Sequence, residues 1–189
     1  MEGLHASWTR RLYNDVRTLD AEGTKKAVLP CTPLGIMKAL GRLGVTRGDV
    51  PARESAAGLT VTVFNRSEVV GRPLAAMLAH DGARVYSFDL DGVQLYDGVG
   101  HPQPSAIDRA AALAASDVVI TGVPSPDFPR VRAAEVREGV TCVNFSHVKN
   151  IERDVVEKAR YLLPRVGPIT VAMLLRNTMR LYHNFHERR

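Results

Sequence analysis

Strands and helices alternate along this chain, and that alternation limits the fold more than any other feature. The β-branched run at 59–65 predicts a strand. A turn follows it, then a helix over about 70–80 with Pro73 in its first turn and an Asp81-Gly82 stop. Further strands are expected at 83–88 (closing on Asp89), 117–121, 140–145 and 161–163, with helices over 107–115 and 151–160. The Gly- and Pro-containing stretch 90–104 reads as a long excursion. Helices that join successive strands cross over with right-handed sense, so the expectation is an α/β chain: a doubly wound, Rossmann-like parallel sheet with helices on both faces.

Aromatic residues make up only 6% of a chain that is 45% hydrophobic, which also favours α/β over an all-β sandwich. A formal charge of +5 suits an anionic ligand. Arginines are scattered, with acids between them, so there is no basic stripe of the kind that binds nucleic acid. Cys31 and Cys142 have neither disulfide nor zinc spacing. The first 24 residues are charged and lack the apolar stretch of a signal peptide or membrane span. A cytoplasmic protein without membrane contact is therefore expected.

Outside the sheet, Trp8, Leu12, Val16 and Leu19 share one face of an expected amphipathic helix over 8–19. Pro30-Cys31-Thr32-Pro33 fixes an extended turn before a second helix, with Thr32 as its N-cap and Gly44 after its end. The segment 47–58 reads as a loop. A final helix starts near Ile169 and offers Val171, Leu174, Leu175, Thr178, Met179 and Tyr182 for burial. This divides the chain into an N-terminal helix and linker (1–29), a nucleotide-binding domain (30–168) and a C-terminal helix (169–189) that faces a partner segment or subunit.

The first strand runs into Asn65-Arg66-Ser67-Glu68-Val69-Val70-Gly71-Arg72-Pro73. In a doubly wound sheet this turn faces cofactor phosphates at a helix N-terminus, and Gly71 lets the backbone come close. The usual G-x-G-x-x-G pattern is missing, so from the residues alone a purely structural turn is an equal alternative. Asp89 ends the second strand, where a carboxylate can accept both ribose hydroxyls of NAD and repel a 2′-phosphate. The alternative is that Asp89 or Asp91 caps a turn before Gly92. Thr121, Gly122 and Val123, with Asn144 and Phe145, end the third and fourth strands and should border the nicotinamide, Gly122 permitting a ring or ribose to approach. His147 reads as a surface or packing residue.

Pro30-Cys31-Thr32-Pro33, the 65–73 turn and Gly167-Pro168-Ile169-Thr170-Val171-Ala172-Met173-Leu174 appear in the order of the methylenetetrahydrofolate dehydrogenase/cyclohydrolase family, which the chain resembles along almost its whole length. Asn65, Asp89 and Asn144-Phe145 are most similar to its monofunctional NAD-dependent, fungal-type members. The resemblance implies hydride transfer from 5,10-methylenetetrahydrofolate to NAD, in one-carbon metabolism. The folate nitrogens would stabilise the cation left behind, so the protein mainly aligns donor and acceptor.

By the same resemblance, Asn65, Arg66 and Ser67 match a cofactor-phosphate or ribose motif, and Thr121, Gly122 and Val123 another cofactor-lining strand end. Gly167, Pro168, Ile169 and Thr170 match a segment beside the folate. Glu2 stands in an acid-Gly element that contacts the pterin, a frayed terminus being the alternative, and Cys31 is a candidate active-site residue. Family members dimerise through the cofactor domain, so a homodimer is implied.

The family's Tyr-x-x-x-Lys motif, which holds folate, is not recognisable. Tyr13-Asn14-Asp15-Val16-Arg17 has the spacing but ends in Arg17 and follows the acid-Gly element. The chain is therefore expected to supply the NAD-binding half of a cleft, through truncation, a misplaced start or gene division. A non-catalytic NAD-binding or partner-binding protein is the alternative.

Overall fold

The computed structural model describes residues 1–98 and 102–186. It contains β1 (Thr60–Phe64), β2 (Arg84–Asp89), β3 (Gly92–Asp97), β4 (Gln103–Ser105), β5 (Val118–Thr121), β6 (Thr141–Asn144) and β7 (Tyr161–Leu163). The helices are α1 (Ala6–Tyr13), α2 (Cys31–Arg42), α3 (Gly71–His80), α4 (Arg109–Ala115) and α5 (Gly167–Phe185). The strands form one sheet in the order β4-β3-β2-β1-β5-β6-β7. The run β2-β1-β5-β6-β7 is parallel, as expected for a doubly wound sheet.

The antiparallel edge was not anticipated. The segment read as an excursion turns through Leu90 and Asp91 into β3, with Asp89 opposite Gly92 at φ 112°, and β4 then pairs with β3. Its residues 99–101 lie outside the described residues. Gly92, just past the two-residue connection, takes a positive φ there without steric cost.

β1 lies at the centre and is buried on both faces. Val61 and Val63 pack with Leu74 and Leu78 of α3, whereas Phe64 packs with Leu113 of α4 and with Val119 and Cys142. The strand's period of two thus divides one sequence between two cores. Leu74 and Leu78 are completely buried, each contributing roughly 1.5–3 kcal/mol. Buried Thr62 is satisfied by Ser116 Oγ at 2.8 Å.

Three helix expectations need correction. The first helix ends at Tyr13 rather than near residue 19, because Asp15 adopts φ 51° and its carboxylate is held by Arg17 and Arg53. In place of the helix at 151–160 there is only a 3-10 turn, Arg153–Glu157. Its start is held extended by the Val131–Ile151 bridge, leaving little chain before β7. Thr32 does not cap α2, which begins one residue earlier, and its hydroxyl lies 3.2 Å from Thr170 Oγ1.

α5 turns a polar face inward and leaves uncovered the apolar face expected to meet a partner segment or subunit. Val171, Leu175, Met179 and Tyr182 are exposed, while Asn177 and Asn184 are buried. Their amides donate to Leu29 O (2.8 Å) and Lys26 O (3.0 Å), and Arg180 donates to Ala27 O (3.1 Å). The extended 26–29 segment presents carbonyls that need donors when buried, so polar side chains take the inner face.

Candidate cofactor and substrate site

In an open parallel sheet, ligands bind beyond the carboxyl ends of the strands where crossover direction reverses, here between β1 and β5. Asn65 spans that point, donating Nδ2 to Gly122 O at 3.0 Å. Its Oδ1 accepts from Ser67 N (3.0 Å) and Ser67 Oγ (2.7 Å). Ser67 Oγ in turn receives Val70 N and Gly71 N at the start of α3. The helix N-terminus is therefore capped from within the turn. A Cβ on Gly71 would stand 2.0 Å from Asn65 O, so this glycine is required for α3 to close onto the end of β1. The close approach it permits is to the protein's own backbone.

Asp89 is exposed at the end of β2. Its Oδ2 accepts Arg66 N and its Oδ1 accepts Leu90 N, both at 2.8 Å. Each oxygen keeps one further acceptor position for a diol. The Arg66 guanidinium points away from that opening. It is buried, pairs with Asp91, and donates to Ser87 O (2.8 Å) and Gly92 O (2.6 Å), which ties the cofactor turn to the β2–β3 hairpin.

The β5 and β6 ends are similarly braced. Thr121 Oγ1 lies 3.2 Å from Asn144 Oδ1, and Asn144 Nδ2 donates to Ser146 O and Val148 O. Neither side chain opens towards a ligand: both are buried. The Phe145 ring lies over Gly122, where a Cβ would come within 1.8 Å of it, so the protein's own ring fills the space expected for a ligand. Val123 is held by completely buried Asn150, which accepts Val123 N at 2.9 Å and donates to Val123 O at 3.1 Å. His147 is exposed.

The substrate-side candidates converge only in part. Glu2, Cys31, Thr32 and Thr170 line one cavity of about 270 Å³ together with Val69 of the cofactor turn. Gly167 and Pro168 are exposed at the start of α5, and Ile169 packs against Gly35. The N-terminal segment is docked: Gly3 sits on the Leu29–Pro30 peptide, and Met1 O accepts from Asn177 Nδ2 at 3.1 Å. Burial chiefly, and Glu2 further, push the Cys31 thiol above its ordinary pKa against a hydrogen bond from Asn177, so it is held as a thiol.

Residues 30–186 match the family described as tetrahydrofolate dehydrogenase/cyclohydrolase, NAD(P)-binding domain. The chain belongs to this family. It is 40% identical to methylenetetrahydrofolate dehydrogenase [NAD(+)] of Dictyostelium discoideum, over 97% of the chain and 60% of that protein. The Saccharomyces cerevisiae NAD-dependent 5,10-methylenetetrahydrofolate dehydrogenase structure superposes with a TM-score of 0.89 at 41% identity, covering 97% of the chain and 61% of that protein. The bifunctional FolD enzyme of Campylobacter jejuni is more distant, with a TM-score of 0.71 and 26% identity, covering 97% and 57%. The chain thus spans about 60% of the length of the dehydrogenases it matches.

In this family member two positioning residues escaped the sequence reading. Asn150 acts on Val123, 27 positions away, and Asn177 on Leu29, 148 away. Only Asn177 left a trace, as an amide interrupting a helix otherwise rich in apolar residues.

Proposed function

We propose that this chain supplies the NAD-binding wall of an enzyme that oxidises 5,10-methylenetetrahydrofolate to 5,10-methenyltetrahydrofolate in the cytoplasm. The cavity of about 270 Å³ carries the reading, because Val69 of the cofactor turn there meets Cys31, Thr32 and Thr170 from the substrate side. NAD, when bound, supplies the hydride acceptor. The chain's residues bind and orient: Asp89 fits a ribose diol, and the Glu68 and Val69 amides, which the turn leaves unused, fit the adjoining phosphates. Two features favour NAD over its 2′-phosphorylated form. Asp89 would repel the extra phosphate, and Arg66 has its charge committed to Asp91 and to backbone carbonyls.

The substrate-side surface formed by Thr32, Thr170 and Glu2 would lie along the folate. The exposed stripe Val171, Leu175, Met179 and Tyr182 on α5 is the face on which an opposing segment, of the kind that makes up the remaining length of the relatives, would pack. That stripe also favours a second reading, a partner-binding protein without turnover.

NAD and NADP titrations, followed by NADH formation from 5,10-methylenetetrahydrofolate with a family N-terminal segment fused ahead of Met1, test the proposal. NAD-selective binding and folate-dependent NADH production are expected. NAD binding without turnover in the fused protein would replace the enzymatic reading with the second one.

A further inference from the structure

At the opposite end of the strands from the cofactor turn lies a larger cavity, of about 670 Å³. Ser55, His80 and Asp81 line it next to the amino ends of β1 and β2. Its floor is apolar, built from Leu12, Leu29, Leu34, Met37 and Met77. Its walls are cationic, carrying Arg11, Lys38, Arg42, Arg47, Arg176 and Arg180, none of which has an ion-pair partner among the described residues. The two acids in the wall do not balance them. Asp15 is held by Arg17 and Arg53 at 2.6 and 2.7 Å, and Asp81 by Arg17 at 2.7 Å.

Two arginines of α5 make the imbalance specific. Arg176 Nη1 is buried without an acceptor, which leaves a charged donor desolvated and uncompensated. Arg180, one helical turn away, is drawn below the ordinary arginine pKa by burial and then by the Arg176 charge. Two guanidinium groups in one half-buried wall, one with an unused donor and the other held by a single carbonyl, Ala27 O, suit a shared anion. The volume falls in the range of small-molecule sites, and the apolar floor suits a ligand that is not anionic throughout.

We propose that this basin binds a small, multiply charged anion, bearing phosphates or carboxylates on a partly apolar body, with Arg176 and Arg180 as its principal contacts. The ligand is distinct from the dinucleotide, and its site does not depend on the catalytic reading.

The test is calorimetric titration of the chain with tripolyphosphate and, separately, with tricarballylate, which distinguishes the two anion sources. Saturable binding of at least one is expected, weakening steeply as salt is raised. R176Q/R180Q should lose about tenfold or more in affinity for that anion. NAD affinity should stay unchanged in the same variant. Because Arg176 is half-buried, R42Q/R47Q provides a second variant at exposed positions, with an expected loss of about threefold to fivefold. R130Q, at an exposed position outside the basin, should change nothing. Absence of saturable binding by both anions, or equal affinity in the native chain and in a folded R176Q/R180Q or R42Q/R47Q variant, overturns the proposal.

Discussion

The proposed cofactor turn and the proposed substrate side of α5 are built to different degrees of completion. Around the β1–β5 junction, Asn65, Ser67, Thr121, Asn144 and Asn150 satisfy one another and the loop backbone, so that wall is rigid before any ligand arrives. On the other side, only the inner face of α5 is bound, through Asn177 and Asn184, while the apolar stripe from Val171 to Tyr182 is left open. A preorganised wall can bind by itself, because its ordering cost is met during folding. On the proposed reading, aligning two reactants also takes an opposing wall. Binding and catalysis should therefore separate in this chain.

The sharpest way to break that comparison is to measure folate-dependent NADH formation by the chain alone and by a version carrying a family N-terminal segment. Loss of alignment can remove about 7–11 kcal/mol of barrier lowering in the limit, so turnover should differ by many orders of magnitude while NAD affinity changes little. Comparable turnover by the two proteins would show that the open side needs no partner.

Next in size is Gly71→Val, which tests whether the cofactor wall owes its rigidity to internal packing. The new Cβ would stand 2.0 Å from Asn65 O, against backbone that cannot move freely. Overpacking of this kind should cost about 3 kcal/mol of stability, read from denaturant midpoints, with or without NAD present. A variant of native stability that loses only NAD affinity would shift the role of Gly71 from packing to ligand contact.

Asp89→Ser probes an exposed carboxylate of the proposed cofactor wall that keeps lone pairs for a ligand. Removing its charge-assisted bonds should cost roughly 1.5–3 kcal/mol of NAD binding, about tenfold to a hundredfold. Equal affinity for NAD before and after the change would take Asp89 out of the site. Asn150→Ala should leave Val123 N without a partner, take one of two donors from Val123 O, and lower stability by about 1–3 kcal/mol. A thermal midpoint unchanged by that substitution would mean the β5 end is braced from elsewhere.

The smallest effect concerns the basin beneath α1. Burial lowers the His80 pKa against the opposing pull of Asp15, so folding favours the neutral imidazole. Its contribution is present above the ordinary histidine value of 6.5 and is lost as pH falls below it. Asp81, whose pKa burial raises, acts in the opposite sense, but over a lower window that begins at the ordinary value of 3.8. Stability should therefore fall as pH drops below about 6.5, and His80→Asn should flatten that slope. A variant with the native slope would assign the pH dependence to another group.

Local pattern made the parallel sheet legible: β-branched runs alternating with helix signals and Asp-Gly stops place five strands within a residue of their observed ends. The β2–β3 hairpin was missed because Asp91-Gly92 sits in a stretch rich in glycine and proline, where turn chemistry hides short strands. The polar inner face of α5 was not legible, because local pattern does not show which part of the chain will lie against a helix. Here the facing chain is an extended segment with open carbonyls.

By itself the sequence determined the α/β class, the order of the parallel strands' elements and the residues gathered at their carboxyl ends, since periodicity and turn residues act over a few neighbouring positions. Only the tertiary structure decided what those residues do for one another. It buried Arg66 in the hairpin, laid Phe145 over Gly122 and held Val123 with Asn150. It also brought the cations of α1, α2 and α5 into a single basin. These relations join positions tens of residues apart, where satisfying a buried donor or acceptor depends on which groups the packed chain brings together.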